Sequence, residues 1–355
     1  MKHEACPTHP SFLIVCLRYI GDVLLSTPLA LSIKTHLPRA QVDYLVFKGT
    51  EGVLEKNPHV RWVHTLKPGA SGVATLLKLW RSYDYAIGTN WSDRTAIFCY
   101  ATGRRAHGFV APQQEWWKRW LMKERCVLNG RMHMVPLMLT QLEPLKIPAI
   151  PRVVVGYDEE DENFAREHLG GKPYVLLHPY TRKANKYWPA AAWAELAGRI
   201  QAETSVRAVF TRSGVESDEA QWQQIQLAAG GGVETFPRAF TLPQLAAAIR
   251  DSRGFVGVDT AATHMAAALD VPTVAIYGPT PADAWGPWPN DWPTASPFKA
   301  AGDVQVRGRI TLLQQSWPCV PCNRGNCCIS TRRKVECLED MTPERVFEAI
   351  KPACA

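Results

Sequence analysis

A chain of 355 residues that is 46% hydrophobic can fill two cores, because a single core stops growing at roughly 250 to 300 residues. Its 40 Lys and Arg against 33 Asp and Glu give a net charge of +7, which suits phosphorylated small molecules or an acidic membrane surface; without dense basic runs, a nucleic-acid partner is not expected. The opening residues MKHEACPTHP lack the apolar core of a secretory signal, and no uninterrupted run of about 18 apolar residues occurs, so a cytoplasmic chain with no membrane span is expected.

The first apolar run, FLIVCL (12–17), is followed by RYIGD and then by helical sequence over 23–36, so Asp22 puts a carboxylate where a strand gives way to a helix. VDYLVF (42–47), VRWVHTL (60–66) and DYAIG (84–88) read as further strands, and 93–102 as a helix. Strands alternating with helices indicate parallel βαβ units. EWWKRWLMK (115–123) sets three tryptophans among three cations. Trp116 and Trp120 stand four apart and permit a helix with one aromatic face in the core, whereas tryptophan mixed with lysine and arginine suits a membrane interface or a sugar or lipid-phosphate site. We read the segment as part core and part contact surface. The Pro-rich stretch 144–161 reads as a linker between two α/β domains.

In the second half the strands YVLLHP, RAVFTRSG, GFVGVD and VPTVAIYGP are hydrophobic throughout, as strands covered on both faces must be. Ligands of such sheets bind beyond the carboxyl ends of strands, which directs attention to the loops after residues 17, 178, 211, 258 and 277. LLHPYTRKANKYWP (176–189) places Thr181, Arg182, Lys183 and Lys186 in one of these loops; the cations suit a phosphate, or belong to a solvated loop. TRSGVESDEA (211–220) supplies Gly214 for a turn and Glu216 near a helix start, where its carboxylate can accept from sugar hydroxyls or simply favour the helix dipole. In VGVDTAATHMAAALD (256–270), Asp259 or Thr260 can cap a helix whose first turn has only small side chains. Such an N-terminus can hold a diphosphate without a metal, the alternative being an ordinary helix start with alanines packed under the sheet. His264 faces the same ligand or packs in the helix. Neither G-x-G-x-x-G nor G-x-x-x-x-G-K-[ST] occurs, nor H-E-x-x-H or G-x-S-x-G, which points away from dinucleotide oxidoreductases, P-loop enzymes, zincins and serine hydrolases. The ten cysteines include Cys319, Cys322, Cys327, Cys328 and Cys337 in CVPCNRGNCCISTRRKVEC. The C-x-x-C knuckle makes Cys319, Cys322, Cys327 and Cys337 candidate ligands of a structural zinc, against the reading of free thiols or a disulfide.

RYIGDVLLSTPLALSIK, HPYTRKANKYWP, TRSGVESDEA and GVDTAATHMAAALDVPTVAIYGPT occur in the order and spacing of the family 9 glycosyltransferases, the ADP-heptose:lipopolysaccharide heptosyltransferases, and the chain resembles that family over nearly its whole length. DAWGPWPND (283–291) is most similar to the lipopolysaccharide core heptosyltransferase III branch. The resemblance implies an α/β fold of the GT-B type, with two Rossmann-like domains facing a central cleft. Residues 1–160 would bind the acceptor and 161–340 the nucleotide sugar, and 341–355 would form a helix crossing back to the first domain. It implies inverting transfer of a heptose from ADP-L-glycero-D-manno-heptose to the inner core of lipopolysaccharide, with a lipid A-core oligosaccharide as acceptor, at the cytoplasmic face of the inner membrane. Asp22 falls on the family's catalytic carboxylate, and Thr181, Arg182, Lys186, Glu216, Asp259, Thr260, Ala261, Ala262 and His264 on donor positions. Arg18, Gly21, Arg104 and Arg105 are assigned to the acceptor. Relatives often carry Gly or Ser where this chain has Ala261 and Ala262. No cofactor is required, and no metal is expected in the active site.

Two other functions use the same donor features. A GT-B-like nucleotide-sugar epimerase needs no large acceptor surface, so a basic, Trp-rich first domain speaks against it. A non-catalytic nucleotide or lipid-phosphate binding protein would be expected to have lost Asp22.

Overall fold

The structure is a computed structural model and describes residues 9–110, 116–122, 124–127, 132–325, 327 and 335–355. The chain divides into two compact units, Met1–Gly156 and Tyr157–Ala355, a break just ahead of the expected one after residue 160. No helix among the described residues is long and apolar enough to cross a membrane.

The first unit runs β1 (Ser11–Cys16), α1 (Ile20–Leu25), α2 (Thr27–His36), β2 (Gln41–Phe47), β3 (Trp62–Leu66), α3 (Val73–Lys78), β4 (Tyr83–Gly88), α4 (Asp93–Thr102), β5 (Gly103–Val110), α5 (Trp116–Leu121), β6 (Glu124–Val127) and α6 (Met134–Leu139). Its strands form one parallel sheet in the order β3-β2-β1-β4-β5-β6. The chain enters at β1, moves outward to β3, then returns beside β1 as β4 and moves the other way. The direction of travel therefore reverses between β1 and β4, and ligands of open parallel sheets bind at such a reversal. Right-handed crossovers put α3, α4 and α5 on one face of the sheet. The expected helix over 23–36 is broken into α1 and α2. The Ser26 hydroxyl bonds the Val23 carbonyl at 2.7 Å, and Pro28, early in α2, has no N–H to continue the ladder. The Pro-rich stretch is packed rather than loose: the Ile150 and Val154 amides donate to the Ser32 and Thr27 hydroxyls, both at 2.9 Å. A Cβ on Gly156 would come within 2.3 Å of the Lys56 carbonyl carbon, so only glycine lets the chain leave this unit along that path.

The second unit runs α7 (Glu159–Leu169), β7 (Tyr174–His178), α8 (Ala190–Glu203), β8 (Arg207–Phe210), α9 (Glu216–Ala228), β9 (Glu234–Thr235), α10 (Leu242–Asp251), β10 (Gly254–Val258), α11 (Ala261–Ala268), β11 (Thr273–Tyr277), α12 (Ala282–Trp285), β12 (Val304–Arg307), β13 (Ile310–Gln314), α13 (Glu336–Glu339) and α14 (Pro343–Ile350). The sheet order is β12-β13-β11-β10-β7-β8-β9, parallel except for β12, which runs antiparallel to β13 at the edge. The reversal here lies between β7 and β10. α7 and α10 open with capping boxes, Asp158 with Asp161 and Thr241 with Gln244. Residues 341–355, expected as a helix crossing back to the first domain, cluster instead with the second unit. Val346, Phe347 and Ile350 form one apolar face of α14, and burying it in the core beside α8, β10 and β11 fixes the helix there.

Candidate active site

In the second unit, β8, β7, β10 and β11 are consecutive neighbours, so the loops leaving their carboxyl ends form one continuous rim. At the reversal, the ammonium of Lys186, from the loop after β7, forms an ion pair with the Asp259 carboxylate at the end of β10; both side chains are largely buried. His264, one turn into α11, is 6% exposed with a buried Nδ1 that has no partner. Burial pushes its imidazole down to about 4; the Asp259 carboxylate opposes this shift and Lys186 adds to it. The ring is therefore neutral at pH 7 and can offer either a lone pair or an N–H. Burial, and secondarily Asp259, also raises the hydroxyl of Tyr277 well above its ordinary value, so it stays protonated.

Thr260 is the N-cap residue of α11 in extended backbone, and its side chain makes no capping bond. The first-turn amides are thus not spent on a side-chain cap and face the reversal with the positive end of the helix dipole. α11 reaches this position because Gly257 has no side chain: a Cβ there would come within 2.6 Å of the Thr263 hydroxyl, which bonds the Val258 carbonyl. Ala261 and Ala262 occupy the first turn, with Ala262 buried. Thr181 is buried at the start of the β7 loop, whereas Arg182 is exposed. Glu216 is exposed as the first residue of α9, at the neighbouring β8 end, beyond the buried Thr211. Lys186, Asp259 and His264 thus stand together beside Thr260, with Thr181 and Arg182 in the same loop as Lys186 and Glu216 at the start of α9, after the neighbouring strand.

In the first unit, Asp22 is the third residue of α1, not its cap; Tyr19 precedes the helix. Its carboxylate lies near the end of β1: it adds to burial in pushing the Cys16 thiol up to about 12, and Arg18 acts in the opposite sense. Arg18, Gly21 and Asp22 therefore stand together at the β1 end of the reversal. Across it, the β4 end contributes polar groups that the sequence did not single out. The Thr89 amide and hydroxyl reach the Val15 carbonyl, the former at 3.1 Å. Asn90 accepts from the Ser92 amide and Thr95 hydroxyl while its buried Nδ2 is without a partner. Gln141 donates to the Gly88 carbonyl at 2.7 Å, and its Oε1 is unpartnered. The signal for Asn90 was available: an amide two residues after the strand DYAIG, ahead of a helix.

Arg104 and Arg105 are not at this end. They open β5, where Tyr85 pairs with Arg105, and Arg104 forms a 3.5 Å pair with Asp84, which also accepts from the Ser11 amide at the start of β1. α4 runs into β5 with no loop, so both arginines fall at the amino ends of the strands, roughly 17 Å of strand from the ends where Asp22 stands. Of the four residues assigned to the acceptor, these two stand apart from Arg18 and Gly21 within the sheet.

Cys319, Cys322, Cys327 and Cys337 do come together around one small cavity, with Trp317, Val335 and Asn185 among its walls. The other three thiols reinforce burial in pushing Cys337 up to about 12. Among the described residues no three His, Cys, Asp or Glu side chains are arranged to hold a metal. Cys328 lies outside the described residues. The segment instead supports the donor rim. Asn185, next to Lys186, donates to the Arg324 carbonyl at 2.7 Å, and the Asn323 amide to that of Pro279 after β11, also at 2.7 Å.

Comparison with known proteins identifies the family and the fold. The model of glycosyltransferase family 9 (heptosyltransferase) matches residues 77–296. Lipopolysaccharide heptosyltransferase 3 of Escherichia coli is 26% identical over 301 residues, which cover 78% of this chain and 85% of the relative. Lipopolysaccharide heptosyltransferase 1 of Pseudomonas aeruginosa is 32% identical over 198 residues, 55% of this chain and 49% of the relative. Among solved structures, the family 9 glycosyl transferase of Veillonella parvula superposes with a TM-score of 0.74 at 18% identity, covering 97% of both chains. The Escherichia coli ADP-heptose heptosyltransferase II superposes at 0.71 and 19%, covering 97% of this chain and 98% of that one. With two Rossmann-like units of the GT-B kind, the chain belongs to glycosyltransferase family 9, the heptosyltransferases.

Proposed function

We propose that the protein transfers a heptose from ADP-heptose to the inner core of lipopolysaccharide with inversion at the anomeric carbon, in the manner of the heptosyltransferase III branch. The observation that carries this reading is the placement of opposite kinds of chemistry at the two sheet reversals: a pre-paired cation and a helix N-terminus in one unit, a half-buried carboxylate in the other. The donor diphosphate takes its charge balance from Lys186 and the α11 amides, with Asp259 holding the lysine ready when the site is empty. Thr181, Thr260 and neutral His264 supply hydrogen bonds, and Glu216 and Arg182 close the solvent side. Asp22 takes the proton of the acceptor hydroxyl as that oxygen bonds to the anomeric carbon; the bond from that carbon to the β-phosphate oxygen breaks, and ADP leaves. Arg18, Gly21 and Asn90 border the acceptor. The acceptor is a membrane lipid, which places the enzyme at the cytoplasmic face of the inner membrane.

The test is to incubate purified protein with ADP-heptose and truncated core lipopolysaccharides and to follow the products by mass spectrometry. Addition of one heptose is expected. ADP binding without transfer to any inner-core acceptor would leave only a binding protein, and conversion of the free nucleotide sugar would favour an epimerase.

A further inference from the structure

The outer surface of the α3–α4–α5 layer is apolar where a helix layer over a sheet should be polar. Val73, Leu77, Trp80, Ile97, Trp116 and Trp120 are 55%, 70%, 56%, 44%, 80% and 67% exposed. They come from α3 and the turn after it, α4 and α5, which pack side by side, α3 on α4 and α4 on α5. The Trp120 ring contacts Tyr100 on α4 at 5.8 Å between centroids, and the Arg81 guanidinium lies over the other side of the chain of rings, 5.1 Å from Tyr100. Arg81 in turn donates to the Gly103 and Arg104 carbonyls, so Tyr100 and Trp120 meet ring to ring beside Arg81, which directly follows the exposed Trp80. Lys78 is exposed on the same layer.

The inside of α5 explains why its tryptophans face outward. Among the described residues of the helix Lys118 is buried while Trp117 is intermediate, and Lys118 pairs with Asp93 at the start of α4. That pair fixes the rotation of α5 and turns Trp116 and Trp120, four residues apart, to the same outer side. Lys118 and Arg104 offset the carboxylates of Asp93 and Asp84, so among the described residues Lys78 and Arg81 leave the border of this surface positively charged. Isolated exposed apolar residues are ordinary; a contiguous set with three tryptophans and a cationic border is not. Indole rings with flanking lysine and arginine match the interface of an anionic bilayer, where the ring body enters the acyl boundary and the cations meet headgroup phosphates.

We infer that this α3–α4–α5 surface is the face that docks on anionic phospholipid. The inference rests on the proposed work at the inner membrane, and specifies the surface that makes the contact. It is tested by sedimentation with vesicles of phosphatidylglycerol and phosphatidylethanolamine and, in parallel, of phosphatidylcholine alone. Wild-type protein is expected to bind the anionic vesicles and to be released by salt. The Trp116→Ser/Trp120→Ser double variant is expected to bind them about tenfold more weakly, and Lys78→Glu to weaken them further in low salt. ADP affinity and transfer to a lipid-free core oligosaccharide should be unchanged in both, which also shows that they are folded. If the wild type binds and the tryptophan variant binds equally, the surface assignment fails while membrane work stands. If the wild type ignores anionic vesicles, both fall. A wild-type dimer that the tryptophan variant dissociates would assign the face to a second copy of the chain and overturn the inference.

Discussion

The two sheets reverse direction at equivalent places, yet the reversals are furnished differently. In the second unit, Lys186 and Asp259 are buried against each other and flanked by a neutral histidine and the N-terminus of α11. In the first, Asp22 is half-exposed, and the buried neighbours across the reversal are the neutral amides of Asn90 and Gln141, each with an unpartnered atom. A site for a diphosphate needs fixed charge in a low-dielectric setting before the ligand arrives. A site for a base needs a carboxylate that a hydroxyl can reach. In the proposed reaction, the difference between the reversals is the difference between holding a leaving group and activating a nucleophile.

The largest effect should come from the first unit. Asp22→Asn keeps shape and hydrogen-bonding reach but cannot take a proton, so single-turnover transfer should fall by at least about a hundredfold. A rate near wild type with a lowered melting temperature would reduce Asp22 to a helix residue. Next is Lys186→Ala, which removes the cation from the diphosphate and strands Asp259. Charge-assisted bonds of this kind contribute about 1.5 to 3 kcal/mol, so calorimetry should find ADP binding weaker by roughly 10- to 150-fold. The buried histidines set a pH dependence. Burial holds His107, His178 and His264 at about 4 against an ordinary value of 6.5, so the unfolded chain binds more protons between those values. Stability should be full above about pH 6.5 and decline as pH falls toward 4, by up to about 3 kcal/mol for each ring. A melting temperature flat over that window would contradict their neutral burial. Asn185→Ala should have a smaller effect, loosening the Lys186 loop and costing about 1 kcal/mol of ADP affinity. The smallest is Arg104→Ala: its exposed pair with Asp84 is worth about 0 to 1 kcal/mol, and transfer to a lipid-free acceptor should not change.

The parallel architecture was legible because strands covered on both faces must be apolar throughout, and YVLLH, GFVGV and TVAIY declare themselves without a partner in view. The donor rim was legible for the same reason, since each motif directly follows such a strand. What the sequence concealed depends on which end of a strand a residue occupies and which side of a helix faces inward. The arginines in ATGRRAHGFV sit at the amino end of β5 because α4 passes into the strand without a loop. Spacing made a buried Trp116–Trp120 stripe plausible, but the Lys118–Asp93 pair decides the rotation of α5 and exposes both rings. The place of α14 was hidden too: its apolar stripe requires burial, and only the packed core of the second unit shows against what.

The division of labour between the two reversals is tested most directly by the ADP dissociation constants of wild type, Asp22→Asn, Lys186→Ala and the double variant, measured by titration calorimetry on folded protein. If one unit holds the leaving group and the other activates the nucleophile, Asp22→Asn should bind ADP as wild type does. The double variant should then bind as Lys186→Ala does, weaker by roughly 10- to 150-fold. An Asp22→Asn protein that loses as much ADP affinity as Lys186→Ala would place Asp22 in the nucleotide site and contradict the division.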